Sequence, residues 1–186
     1  RTVKELIVLA KANPGKLTYA SPGFGTNPHV ATDLLKVMAG IDILQVQYKG
    51  SGQGMVDVIS GEVALLYASP ISVTQHIKTG RLRALAVTSK TRSQALPDVP
   101  TFAETLPGYE ATAWFGVLAP AATPRAIIDL LYREMLRVLR TPDMKERLAA
   151  DGIEVVGSTP QEFTVFLKSE TEKWAKVFKA SGINPE

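Results

Sequence analysis

The run Tyr19-Ala20-Ser21-Pro22-Gly23-Phe24-Gly25-Thr26-Asn27-Pro28-His29 concentrates the residues best suited to chemistry. An apolar stretch precedes it and a helical pattern follows. Gly23 and Gly25 let the backbone turn sharply and let a ligand approach it closely. Asn27 is expected to cap the helix, with Pro28 as its first residue. The N–H groups of that first turn lack intrahelical acceptors, and the helix dipole adds partial positive charge, so the turn suits an anion. Ser21, Thr26 and Asn27 add side-chain donors. A tight strand-to-helix turn with an ordinary cap needs the same residue types, so the segment alone leaves both readings open. It lacks the G-K-[ST] ending of a Walker loop and the third glycine of a dinucleotide fingerprint.

Two further segments repeat the arrangement. Gly50-Ser51-Gly52-Gln53-Gly54 follows an apolar run and opens a helix, and Ser69-Pro70 does the same with Ser69 as the expected cap. In a parallel sheet, all three helix starts fall along the carboxyl edge of the strands, where open α/β folds bind ligands. Convergence of three N-termini points to an anion site. Tyr48 and Lys49 lie on its rim and Ala68 adjoins Ser69. Lys49 offers a charged hydrogen bond to a carboxylate or is a solvated surface lysine.

Catalytic chemistry finds little support. His29 and His76 are the only histidines, and neither belongs to an H-E-x-x-H metal motif. Each reads as a rim or helix-face histidine without a catalytic role. There is no G-x-S-x-G elbow. Asp33, Asp42 and Asp57 show no pairing on one helix face and are expected to be solvated. Without cysteine, thiol catalysis, disulfides and cysteine-based zinc sites are excluded. No cofactor is implied.

Positioning such a site falls to the surrounding elements. Helical patterns cover residues 3–12, 28–38, 55–60 and 70–78. Apolar runs expected as strands cover 16–21, 43–48, 63–67 and 82–88, with one more at 112–118. This alternation predicts βαβ units on a parallel sheet. A proline-rich connection spans 89–107. Thereafter Thr123-Pro124, Thr141-Pro142 and Thr159-Pro160 each read as a capped helix start, the helices reaching about Leu139, Ala150 and Ala180. A short strand is expected at 153–156. Thr159 and Glu162 have capping-box spacing. The last helix carries an apolar stripe of Phe163, Phe166, Leu167, Trp174, Val177 and Phe178, interrupted by Glu170, which needs a partner surface.

Hydrophobic residues make up 45% of the 186 and charged residues 21%, as in ordinary globular chains. The net charge of +3 is spread along the chain. That argues against a nucleic-acid partner, which calls for a concentrated basic footprint. No apolar run approaches the length of a transmembrane helix. A chain opening on Arg1-Thr2-Val3 without Met reads as a processed or truncated piece, so it carries no leader that would report localisation.

Five blocks resemble the receptors of the tripartite tricarboxylate transporters, also called Bordetella-uptake-gene-type proteins. They are Lys4-Glu5-Leu6 through Asn13-Pro14-Gly15-Lys16-Leu17-Thr18-Tyr19-Ala20-Ser21; Gln47-Tyr48-Lys49-Gly50; Gly80-Arg81-Leu82-Arg83-Ala84-Leu85-Ala86-Val87-Thr88; Arg92-Ser93 with Leu96-Pro97-Asp98-Val99-Pro100-Thr101; and Trp114-Phe115-Gly116-Val117-Leu118-Ala119-Pro120 followed by Thr123-Pro124. Together they span essentially the whole chain in order. The resemblance implies an α/β, periplasmic-binding-protein-like (type II) two-lobed fold with the ligand in the cleft, and an N-terminal part of the first lobe missing here. Residues 1–115 would form the second lobe, and 116–186 would complete the first. It implies a non-enzymatic periplasmic receptor that passes a small carboxylate to the membrane components of its transporter. The ligand would meet Ser21, Gly23, Phe24, Gly25, Thr26, Asn27, His29, Tyr48, Lys49, Gly50, Ala68 and Ser69. Pro22 and Phe24 replace smaller or polar residues common in the family's loop, implying a tighter or drier pocket. Ala64 and Ala68 stand where the family often has Asp. A homodimer through the surface left by the missing segment, a swapped arrangement or low stability is expected. The rival readings are the ligand-sensing effector domain of a transcription regulator, which would need a helix-turn-helix upstream, and an anion-dependent lyase or transferase on the same fold.

Overall fold

The computed structural model describes residues 1–150 and 152–182. Three short parallel strands form its sheet: β1 (Thr18–Ser21), β2 (Leu44–Gln47) and β3 (Leu65–Leu66), in the order β2-β1-β3. Thr18 pairs with Leu44 and Ser21 with Gln47, while Ala20 pairs with Leu66 on the other side. The carboxyl ends of all three strands therefore lie along one edge. The helices are α1 (Val3–Ala12), α2 (Asn27–Ala39), α3 (Ser51–Ser60), α4 (Pro70–Lys78), α5 (Arg125–Leu139), α6 (Pro142–Ala150) and α7 (Pro160–Ser181), with a 3-10 turn at Phe102–Glu104.

Local chemistry accounts for the helix ends. The Thr2 hydroxyl accepts from Glu5 N–H at 3.1 Å to start α1, which stops ahead of Pro14. Gly40 closes α2 with φ +61°, a conformation open to glycine at little cost. At α7 the expected capping box is present: Glu162 N–H donates to the Thr159 hydroxyl at 3.2 Å, and Thr159 N–H donates to the Glu162 carboxylate at 2.8 Å.

Several expectations need correction. The cap of α2 is Thr26, in extended conformation, and Asn27 is already helical. Helix α3 starts at Ser51, so the glycine-rich stretch after Gly50 is its first turn rather than a loop. Its close approach to β1 uses Gly54, where a Cβ would come within 2.8 Å of the Ala20 methyl. Helix α5 is capped by Pro124, one residue later than Thr123. Of the strand expected at 82–88, only Val87 pairs, in an isolated parallel bridge with Thr101. The facing segment contains Pro97 and Pro100, which have no N–H to extend a ladder. Residues 112–118 and 153–156 are not strands; apolar side chains promote a strand only where a neighbouring edge accepts its hydrogen bonds.

The chain divides into two units. The first, Arg1–Ala113 with the stretch from Trp174 on, contains the sheet and the core. Tyr19, Ala31, Leu35, Ile43, Phe102 and Tyr109 are buried there, joined by Leu6 and Ala10 of α1 and Val177 of α7. The second, Trp114–Lys173, is organised around Trp114. Its indole meets Phe163 and Phe166 edge to face, with centroids 5.8 and 5.1 Å away, and its Nε1–H donates to Glu170 at 3.3 Å. The apolar stripe of α7 thus has two partners, Trp114 at its start and the first unit's core at Val177. No described residue of the second unit is fully buried. Among the described residues, no helix is long and apolar enough to cross a membrane.

In the first unit, Glu104 closes a capping box with Thr101, and Arg92 grips its carboxylate with two hydrogen bonds of 2.8 Å. The Arg92 contact and the Thr101 N–H hold the Glu104 carboxyl at about 2, below its ordinary value of 4.5. A depressed folded-state pKa contributes stability that is present above the unfolded value and lost as pH falls through the folded one. Urea midpoints should therefore decline between pH 4.5 and about 2, and Glu104→Gln should remove part of that acid-side slope.

Candidate functional site

Strand order reverses at β1, because the chain leaves β1 for β2 on one side and returns to β3 on the other. Open α/β sheets hold their ligands outside the carboxyl ends of the strands at such a point. The residues there are the Ser21–Asn27 loop after β1 and the Ala68-Ser69 step after β3, with Tyr48, Lys49 and Gly50 after β2.

The loop is bound up in its own hydrogen bonds. Tyr48 N–H donates to Ser21 O at 2.9 Å, carrying the sheet one residue past the paired strands. The Thr26 hydroxyl donates to Gly23 O at 2.7 Å and lies 3.2 Å from the Ser21 hydroxyl, which also accepts from Gly23 N–H at 3.3 Å. Asn27 Nδ2 donates to Ala111 O at 3.2 Å. Side chains expected as free donors are thus already engaged, and the loop's unspent polarity is the N–H groups at the start of α2. Gly23 and Gly25 have φ of +146° and +74°, which permit this path. Phe24 stands at the apex, 74% exposed.

His29 is buried at 3% exposure beneath the loop. Its Nδ1 accepts from Gly25 N–H at 3.2 Å, and Phe24 meets its ring edge to face at 5.0 Å. With Nδ1 accepting, the ring proton sits on Nε2, which lies 3.4 Å from Asp33 Oδ2. Asp33 is 4% exposed, and its Oδ2 has no well-aligned hydrogen bond. The expectation that Asp33 is solvated is therefore corrected. The inward face of α2 carries it under the loop, one turn beyond His29, and the i, i+4 spacing was the sequence signal. Burial raises its carboxyl above the ordinary 3.8, against the pull of His29 and Lys36. A raised folded-state pKa contributes stability that is full below the unfolded value and lost as pH rises through the folded one. Asp33→Asn should remove this loss, giving a chain whose stability declines less than wild type as pH rises above about 4; urea midpoints across pH 3–8 would measure it.

The remaining expected residues are spread along the same edge. Tyr48 is buried, and its hydroxyl donates to Asp57 Oδ2 at 2.7 Å, turned toward α3. Lys49 and Gly50 are exposed, Gly50 being the residue before α3. Ala68 and Ser69 are exposed; Ser69 precedes α4, and its hydroxyl donates to the Ser72 hydroxyl at 3.2 Å. His76 belongs to the last turn of α4, at the opposite end from this edge. Gln47, absent from the expected set, closes β2 beside Gly23, with its amide 3.3 Å from where a Gly23 Cβ would stand.

A three-stranded parallel sheet whose helix N-termini gather at a switch point is the architecture of an open α/β fold. The chain belongs to the tripartite tricarboxylate transporter receptor family: the family model described as "Tripartite tricarboxylate transporter family receptor" matches residues 1–183. It is 40% identical over 186 residues to the "UPF0065 protein in tcbD-tcbE intergenic region" of Pseudomonas sp. (strain P51), covering 99% of this chain and 55% of that one. It is 38% identical over 178 residues to Protein BugT of Bordetella pertussis, covering 95% and 55%. The solved structure "R. palustris Rpa4515 with adipate" superposes with a TM-score of 0.83 at 33% identity, covering all of this chain and 62% of that one. The chain spans about 55% of the length of these two curated relatives.

Proposed function

We propose that this chain is the larger part of an extracytoplasmic receptor that binds a small carboxylate and delivers it, in the periplasm, to the membrane components of a tripartite tricarboxylate transporter. Residues 1–115 serve as one lobe and 116–186 complete the other. The carboxylate is held at the carboxyl edge of the sheet by N–H groups of the Ser21–Asn27 loop. Tyr48, Lys49, Gly50, Ala68 and Ser69 line the approach, and His29 supports the loop from below. The receptor does no chemistry on its ligand.

The observation that carries this reading is the switch point at β1, where the start of α2 leaves N–H groups unspent. Family membership supports it, and so does a structural neighbour solved with adipate. Thermal unfolding of the full gene product against a panel of mono-, di- and tricarboxylates tests it. A ligand at a hundred times its Kd should stabilise a one-site protein by about 2.7 kcal/mol. A rise confined to some carboxylates is the expected result. A flat panel on well-folded protein would reject the reading.

A further inference from the structure

Beneath the loop, His29 and Asp33 bear on how the site keeps its shape, on the reading that the start of α2 binds a carboxylate. They stand one turn apart on α2, with side chains only 4% and 6% exposed, too deep to meet a ligand themselves. The two nitrogens of the His29 ring have different neighbours. Nδ1 accepts the Gly25 N–H at 3.2 Å, and Gly25 stands at φ +74°, the turn that leads the chain into Thr26 and α2. Nε2 faces Asp33 Oδ2 at 3.4 Å, and that oxygen has no hydrogen bond elsewhere. A neutral imidazole carries one ring proton, and both neighbours favour the same place for it. On Nε2 it meets the carboxylate and leaves the Nδ1 lone pair to Gly25. On Nδ1 it would oppose the Gly25 N–H and turn a lone pair toward the carboxylate. The Gly25 contact in turn fixes the start of α2, where the N–H groups of Thr26, Asn27 and His29 are unspent; Pro28 has none, and Val30 N–H donates to Thr26 O at 3.0 Å. If Asp33 only filled space, an apolar side chain of its size would serve better, because burial works against its charged form.

We infer that Asp33 is a positioning residue of the ligand site: by fixing the His29 tautomer it holds Gly25, and through Gly25 the N–H groups that receive the carboxylate. The test compares two variants of the full gene product. Asp33→Leu removes the oxygen facing Nε2 at similar volume, whereas Asp33→Asn keeps a carbonyl oxygen that can accept from Nε2–H. Nitrogen spectra of the unliganded proteins should place the His29 ring proton on Nε2 alone in wild type and Asp33→Asn, and on both nitrogens in Asp33→Leu. The Gly25 amide of Asp33→Leu should exchange about tenfold faster, and adipate, or succinate or phenylacetate if either binds more tightly, should bind about tenfold more weakly, the order of one lost hydrogen bond. Asp33→Asn should behave as wild type in both measurements. A role in packing alone would lower the melting temperature of Asp33→Leu and leave the His29 tautomer and the affinity of the folded protein unmoved. That result, or equal losses in Asp33→Asn and Asp33→Leu, would overturn the inference while leaving a carboxylate receptor standing. So would a wild-type His29 with its proton on Nδ1, a result that needs no variant to fold. Failure of every mono-, di- and tricarboxylate to bind wild type would remove both.

Discussion

Replacing Tyr109 by Ala should lower the unfolding free energy by about 3–5 kcal/mol, the cost of emptying a large aromatic site in a packed core. Tyr109 is 1% exposed, packs on Phe102 with ring centroids 4.6 Å apart, and donates its hydroxyl proton to Ala31 O at 2.9 Å. It therefore ties the segment around 102–111 to the middle of α2, the helix whose N-terminus forms the loop. Nearby, Ala111 O receives the Asn27 amide. Loss of the ring should loosen the loop as well as the core. Tyr109→Phe separates the two contributions. It keeps the ring and removes only the hydroxyl, and the Ala31 carbonyl lies within α2, so the cost should be nearer 1 kcal/mol. Urea unfolding of both variants measures the difference. Equal losses in the two would mean that the hydrogen bond, rather than the packed ring, dominates.

Amide exchange should divide the 186-residue chain into two regimes. In α2 and β1 the amides sit over buried side chains and should exchange through global unfolding. In α5 and α6 they should exchange orders of magnitude faster, through local opening. The physical reason is the want of a buried side chain among the described residues of Trp114–Lys173. Ile127, Leu130, Leu131, Met135 and Val138 recur at helical spacing on α5, and all remain substantially exposed; Phe115 is 89% exposed. Isolated helices of this length are marginal in water and owe their stability to a covered apolar face. The two curated relatives are nearly twice as long, so the full gene product should protect α5 if additional chain covers that face. Uniform protection across both units in the 186-residue chain alone would contradict this, unless size-exclusion chromatography showed a second copy in the same role.

Much of the fold was legible because its determinants are local. Apolar spacing and proline marked α1, α4, α6 and α7 closely, since cap chemistry and helical period act within a few residues. The carboxyl-edge geometry followed from strand–loop–helix alternation and reappears in the parallel order β2-β1-β3. What the sequence left hidden depends on partners distant along the chain. The segments 82–88, 112–118 and 153–156 have strand-like composition, yet a strand also needs a neighbouring edge, which side-chain pattern does not report. The side chain of Asn27 fits a cap, but it is drawn to Ala111, 84 residues away, and the backbone puts Thr26 in the capping position instead. Asp33 reads as a surface carboxylate until α2 is docked, when its inward face carries it beneath the loop beside His29.

Nitrogen–proton correlation spectra of the labelled full gene product, recorded during titration with adipate and phenylacetate, test the carboxylate site most directly. If N–H groups at the start of α2 hold the ligand, the largest saturable shifts fall on the amides of Thr26, Asn27 and His29, with smaller ones at Lys49, Gly50 and Ser69. Saturating shifts centred on other parts of the chain, with this loop unmoved, would contradict the assignment of the site.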